Sequence, residues 1–463
     1  MHFAMDVDVV VIGSGAGGLA AATALARAGK SVIVFEQHYL PGGWCHSFPL
    51  GGYRWSPGVH YIGELGPGGM ARRMYEGLGM GRDLTFYEMN PDGYDRLLIG
   101  GERFDIPAGR DRLADRLCSR FPGETEGIRG YVDTVTKIGS EMAVLLDAEG
   151  PLSALKIPFA APTFTRWGAR SAKTLIEHFV RDPKLRGILA AQSGDHGLPP
   201  SQAPSAIHAA VVGHYVDGGY YPRGGAHALP FAFIRSLRRA GGVIKVRAPV
   251  ERILVESGRA IGVRLADGTE VRAGTVISNG DPSVTYGKLL APEHVPPRVR
   301  AKLAKTRYSV SALSLFLAID RDPRAWGFDS GNVWFFEDDD VDGIYRRGLD
   351  GWGLEVEDLP FLFLSLTTLK DPSKRYRGHH TIEGFTLVGY DAFRTWAATA
   401  HDARPASYQA LKEELTDRML DAIDRVAPGL SEHITFVDLG TPLTNEFYCA
   451  SSIRSVNSSL SAW

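Results

Sequence analysis

The sequence predicts an α/β fold: a parallel sheet built on an N-terminal β-α-β unit, with an α+β region inserted into it. Three observations predict this. An apolar run at 8–12 leads through Gly13-Ser14-Gly15-Ala16-Gly17-Gly18 into an alanine- and leucine-rich stretch that stops at Gly29. A second apolar run, 31–35, ends on Glu36, the acid that a dinucleotide site needs about 20 positions past its glycines. Beyond residue 218, a glycine-rich entry, a helical stretch and a series of short β-type runs lead back to the sheet.

The chemistry of the first unit follows from its residue types. Gly13 allows a tight turn, Gly15 lets the backbone approach a pyrophosphate, and Gly18 lets helix and strand pack closely. The helix N-terminus offers unbonded amides and a positive dipole end to the phosphates. Glu36 accepts hydrogen bonds from a ribose and repels a 2′-phosphate, which favours FAD or NAD over NADP. The glycine pattern alone is a weak signal. Here the strand before it, the helix after it and the acid beyond are all in place.

The 463-residue chain is long enough for two or three domains and a large core. Its 51 basic and 53 acidic residues leave a net charge of -2, which gives no reason to expect a nucleic-acid partner. Cys45, Cys118 and Cys449 lie far apart. They form neither a metal-ligand pattern nor a disulfide framework, as suits a reducing cytoplasm. No signal peptide is indicated and no apolar run reaches 18 residues, so the expectation is a soluble, cytoplasmic protein, at most peripheral at a membrane.

Between 66 and 214 the pattern changes. Helical signals at 110–121, 127–146 and 172–191 are joined by proline-rich connections at 151–162 and 199–204, as in a helical cap. After the glycine-rich entry, a helix is expected at 226–240, then strands at 243–246, 250–255 and 261–265 with a hairpin turn at Asp267-Gly268. The run 275–278 returns to the sheet. From 300 to 402 the segments SALSLFLAI, NVWFFE and FLFLSLTTL read as strands of a second sheet, followed by a helix at 408–426. Phe316, Trp334, Phe336, Phe361 and Phe363 are either its core or the lining of an apolar tunnel, and both readings stand.

The tract Pro41-Gly42-Gly43-Trp44-Cys45-His46 puts a second glycine pair where the chain would curl across a dinucleotide. The order of strand, GxGxxG, Glu36 and Gly42-Gly43 resembles the N-terminus of FAD-dependent amine oxidases and phytoene desaturases. EQHYLPGGWCHSF followed by GVHYIG, and later LKDPSKRYRGHHTIEGFT, look like the retinol saturase and carotenoid isomerase branch. The resemblance covers 6–448. It implies a Rossmann-like FAD-binding domain of the glutathione-reductase/amine-oxidase type, made of 1–65, 218–299 and 425–449, with an inserted α+β substrate domain at 66–217 and 300–424.

By the glycine chemistry and the resemblance together, the cofactor-binding candidates are Gly13, Ser14, Gly15, Ala16, Gly18, Glu36, Gln37, Gly42 and Gly43. Val250, by resemblance, sits where a backbone group meets the adenine end. The implied cofactor is FAD, with NAD as the alternative and no metal. The implied substrate is an apolar polyene, retinoid or carotenoid; saturation, desaturation and isomerisation are all open. His60, which titrates near neutrality, and Tyr61, a phenol donor, are the candidate acids. Cys45-His46 reads as a structural thiol rather than a nucleophile, since no base and orienting group can be identified.

Past Tyr448 the resemblance stops. The serine-rich tail 450–463 has no glycine, where members of the family continue through a strand and a glycine-containing helix start. The competing expectation is therefore a catalytically impaired or lipid-binding protein of the same fold, as the Rab GDP-dissociation inhibitors are.

Overall fold

The computed structural model describes residues 5–146, 156–306, 308–349 and 358–449. The tail 450–463 and the connection at 151–155 lie outside the described residues. The N-terminal unit forms as its pattern predicts: β1 (Met5–Ile12), α1 (Ala16–Arg27) and β2 (Val32–Phe35). β1 and β2 run parallel, and β1 also pairs in parallel with the strand Glu270–Ser278. Alternation explains the burial. Val10, Ile12, Ile33 and Phe35 fill one face of the sheet, and Val9, Val11, Val32 and Val34 fill the other. The expected meander completes this six-stranded sheet, with Val250–Glu256, Arg259–Leu265 and Glu270–Ser278 on one side and Val243–Lys245 at the far edge.

α1 is held by the helix Ala228–Arg239, whose Ala232, Phe233 and Ile234 bury Leu19. This helix is shorter at both ends than the expected 226–240. Pairing of Phe86–Glu88 with Tyr220–Pro222, and of Ile62 with Tyr220, ties the glycine-rich entry at 218–225 to the 58–63 loop. Those two sequence-distant segments are thereby fixed next to each other.

The second sheet has seven strands. In spatial order they are Ile434–Gly440, Ser311–Ile319, His380–Val388, Phe361–Ser365, Asn332–Phe336, Asp95–Ile99 and Glu102–Ile106. All neighbours are antiparallel except the parallel pair of Asn332–Phe336 with Asp95–Ile99. Both faces are covered. Leu362, Leu364 and Ile382 point toward the helix Ala406–Val426, while Phe361, Phe363, Trp334 and Phe336 point into the helical cap.

Three expectations change. The stretch 172–191 is two helices, Ala172–Phe179 and Pro183–Ala190, not one. Pro183 has no amide to continue the first helix, and the Asp182 side chain accepts from the Leu185 amide to start the second. The run expected as FLFLSLTTL stops as a strand at Ser365, and Thr367–Lys370 forms a helical turn. Ile434–Gly440, within the 425–449 segment expected in the FAD-binding domain, pairs with Ser311–Ile319 and so joins the second sheet.

Candidate functional site

The first site is the glycine turn. The earliest intrahelical bond of α1 runs from the Leu19 amide to Gly15 O, so the amides of Ala16, Gly17 and Gly18 have no intrahelical acceptor. No side chain caps this end and no acid lies in its first turn. Side chains are excluded from the turn by geometry. A Cβ at Gly15 would lie 2.6 Å from Asn279 Nδ2, one at Gly17 2.7 Å from Asn279 Oδ1, and one at Gly18 would overlap Gly13 O. Gly13, at φ +89°, makes the turn that the tight-turn reading requires.

Glu36 is buried and braces this cradle. Its Oε2 accepts from the Ser14 amide at 2.9 Å and the Ser14 hydroxyl at 2.6 Å, and its Oε1 from the His38 amide at 2.8 Å. Ser14 Oγ in turn accepts from the Gly42 amide at 3.1 Å, and a Cβ at Gly43 would stand 3.1 Å from Gly15 Cα. The structure thus brings Gly13, Ser14, Gly15, Ala16, Gly18, Glu36, Gly42 and Gly43 together. Gln37 is exposed beside them. Val250 begins an outer strand two residues past Ala248, whose amide bonds Glu36 O. Asn279 was not among the candidates although it is the side chain nearest the glycines. Its signal was its place directly after a strand that returns to β1.

An uncapped helix start, a cradle that any Cβ would fill and an acid with lone pairs to spare are what a dinucleotide's pyrophosphate and ribose require. The residues fit the group. Burial pushes the Cys45 thiol up to about 11, so it is not a thiolate at neutral pH, in keeping with a structural role.

The second site lies where the 56–60 loop meets the second sheet. His60, Ser56, Pro57 and Gly58 line a cavity of about 60 Å³ with Asp195, Phe316, Phe385 and Glu383. His60 Nδ1 stands 3.5 Å from Glu383 Oε2, an ion-pair distance longer than a good hydrogen bond. Neither atom has a hydrogen-bond partner among the described residues. Glu383 is 1% exposed, yet its carboxyl is held below the usual range. Burial pushes it up, but the Lys374 ammonium at 3.3 Å, His60 and the Ser56 amide at 2.9 Å outweigh that. Lys374 also donates to Tyr221 Oη at 3.0 Å, which puts the 220–225 segment against the same cluster.

Lys370 forms a second buried cation. It donates to His60 O at 2.8 Å, to Ser365 Oγ at 2.7 Å and to Asn332 Oδ1. Burial pulls its pKa down to about 7, against the carboxylates of Asp95 and Glu383.

Tyr61 does not line the cavity. It is buried, stacks on Tyr215 at 4.1 Å, and its hydroxyl lies 3.1 Å from Asp95 Oδ2 and 3.0 Å from Asp195 Oδ2. Of the five aromatic residues weighed as core or tunnel, Phe316 alone lines the cavity. Trp334, Phe336, Phe361 and Phe363 are closed core.

Glu383, Lys374, Lys370, Asp95 and Asp195 were not foreseen. Glu383 had a signal: a lone acid inside the apolar strand HTIEGFTLV, at a position the sheet buries.

The profile of the "Flavin containing amine oxidoreductase" family matches residues 16–428. The chain belongs to this family. As a flavin oxidoreductase it is 32% identical over 96% of its length, and 76% of the other protein's, to the all-trans-retinol 13,14-reductase of Danio rerio. It is 28% identical over 96% of its length, and 73% of the other's, to the chloroplastic prolycopene isomerase of Arabidopsis thaliana. A putrescine oxidase structure superposes at a TM-score of 0.63 with 18% identity, covering 96% of this chain and 87% of the other. Among the described residues no helix of this flavin oxidoreductase is long and apolar enough to cross a membrane.

Proposed function

We propose that this flavin oxidoreductase holds FAD between the glycine cradle and the His60 loop and saturates a carbon–carbon double bond of an apolar polyene alcohol. The observation that carries the reading is His60 beside a fully buried, Lys374-paired Glu383 in a cavity walled by Phe316 and Phe385. Gly15, Ala16 and Gly18 would face the pyrophosphate, Glu36 the ribose, and the backbone near Val250 the adenine, with Gln37 at the rim. When bound, the flavin supplies a hydride equivalent to the double bond.

This chain's part is positioning and proton control. Glu383 stands 3.5 Å from His60 Nδ1 and orients the imidazole, whose Nε2 is the atom that would hold or give a proton. Phe316 and Phe385 exclude water and meet an apolar chain. Tyr61 acts behind the cavity, through Asp195. The 32% identity to a retinol reductase supports saturation. The 28% identity to a carotenoid isomerase supports a net isomerisation as the second reading.

The test is anaerobic incubation of the flavin-loaded, dithionite-reduced protein with all-trans-retinol and with a poly-cis carotenoid, read by mass spectrometry. A gain of two hydrogens is the expected product. Unchanged mass with an altered retention time establishes the isomerase reading instead, and no conversion of either compound overturns the substrate class.

A further inference from the structure

Ser314 lies inside the apolar strand SALSLFLAI, every residue of which is buried. Alternation divides that strand between two faces. Leu313, Leu315 and Leu317 pack toward the helix Ala406–Val426, so Ala312, Ser314 and Phe316 turn the other way, where all three line the cavity of His60 and Glu383. Across the strand pair, Phe385 stands directly opposite Ser314 and Glu383 opposite Phe316.

Ser314 is 8% exposed, and its hydroxyl makes no hydrogen bond among the described residues. Other buried hydroxyls of this sheet are paired within the protein. Thr386 Oγ1 donates to Phe361 O at 2.6 Å, Thr381 Oγ1 meets Thr367 Oγ1 at 2.8 Å, and Ser365 Oγ accepts from Lys370 at 2.7 Å. Ser56, also on the cavity, spends its hydroxyl on Ser47 at 3.0 Å. A buried hydroxyl without a partner is costly, and an alanine would fill the same wall without that cost. Whatever completes the hydroxyl of Ser314 has to enter the cavity.

The cavity limits what that can be. At about 60 Å³ it takes a few heavy atoms, the end of a chain rather than its length. Phe316 and Phe385 flank Ser314 with apolar surface, and the Glu383 carboxylate on the same wall disfavours an anionic end. A neutral oxygen at the end of an apolar chain satisfies all three conditions. We propose that Ser314 is a specificity-determining residue of this site: its Oγ–H donates to the hydroxyl oxygen of the polyene alcohol and selects the alcohol over the same chain without oxygen. This rests on the polyene reading for the class of ligand. No bond of the substrate is made or broken at Ser314, so its part is binding and not proton transfer. A site that hydrogen-bonds a substrate hydroxyl discriminates against the analogue lacking it, because the buried partner is then left unpaired.

The experiment measures equilibrium binding, without turnover, to the oxidised, flavin-loaded protein. All-trans-retinol and the corresponding deoxy hydrocarbon are titrated into wild type, Ser314→Ala and Ser314→Thr by quenching of tryptophan fluorescence, with circular dichroism confirming that each variant folds. The ratio of alcohol to hydrocarbon affinity is expected to fall roughly 10- to 100-fold in Ser314→Ala and to be largely kept in Ser314→Thr, which retains the hydroxyl. A purely structural role would weaken both ligands alike and leave the ratio in Ser314→Ala as in wild type. That result, with both compounds bound, overturns the assignment of Ser314 and leaves the polyene reading standing. A threonine variant that loses the ratio as alanine does overturns it as well, since the hydroxyl is still present. If neither compound binds wild type, the polyene reading fails and the role of Ser314 fails with it.

Discussion

Lys374 and Glu383 are 3% and 1% exposed, so their pairing decides more than local geometry. Removing one partner of a buried pair leaves the other charge without compensation. Lys374→Met and Glu383→Gln are each expected to destabilise the protein by about 3–5 kcal/mol in denaturant titrations, since each leaves the other charge buried and unpaired. A loss under about 1 kcal/mol in both variants would place the stabilising role elsewhere. Glu36 presents a comparable case, because it both braces Ser14 and His38 and faces the cofactor cradle. Glu36→Ala is expected to lose flavin on gel filtration, and unchanged flavin absorbance would remove Glu36 from the site. Asp195 sets a pH dependence whose sign is fixed. Its folded pKa, about 8, lies above its ordinary value of 3.8, so its contribution is complete below that value and is lost as pH rises through 8. Denaturation midpoints at pH 6 and pH 9 are expected to fall further in wild type than in Asp195→Asn.

At the scale of elements, helix starts and strand alternation were readable because each depends on neighbours along the chain. α1, β1 and β2 formed where the glycines and apolar runs put them. The break at 180–183 was also written locally, in Asp182-Pro183, but a continuous apolar period masked it. Asp182→Ala removes the cap on the Leu185 amide and is expected to cost about 0.5–2 kcal/mol, read as a lower melting temperature. The alternation in Phe361–Ser365 shows where such reading ends. It assigns phenylalanines and leucines to opposite faces, but only the sheet order shows that the Phe363 face meets Trp334, at a ring distance of 4.6 Å, and closes as core.

Across the whole molecule, the glycine turn belongs to one sheet and the buried His60–Glu383–Lys374 cluster to the other, with the 56–63 loop running between them. A ligand that binds only the folded form raises stability with the logarithm of its excess over Kd. FAD at 100 times its Kd is therefore expected to add about 2.7 kcal/mol, and a calorimetric scan showing no rise would mean that the cradle does not bind it.

By itself the sequence determined the α/β class, the glycine turn with Glu36, and the loop carrying His60, since all of these depend on residues within a few dozen positions. It did not determine which charges surround that loop. Glu383 and Lys374 reach it from more than 300 positions away, and Asp95, Asp195 and Tyr61 meet only where the 191–195 segment comes to the start of the Asp95–Ile99 strand. Buried charges carry no periodic signal, and their partners are chosen by the packing of distant strands, so the tertiary structure alone decided the chemistry of the cavity.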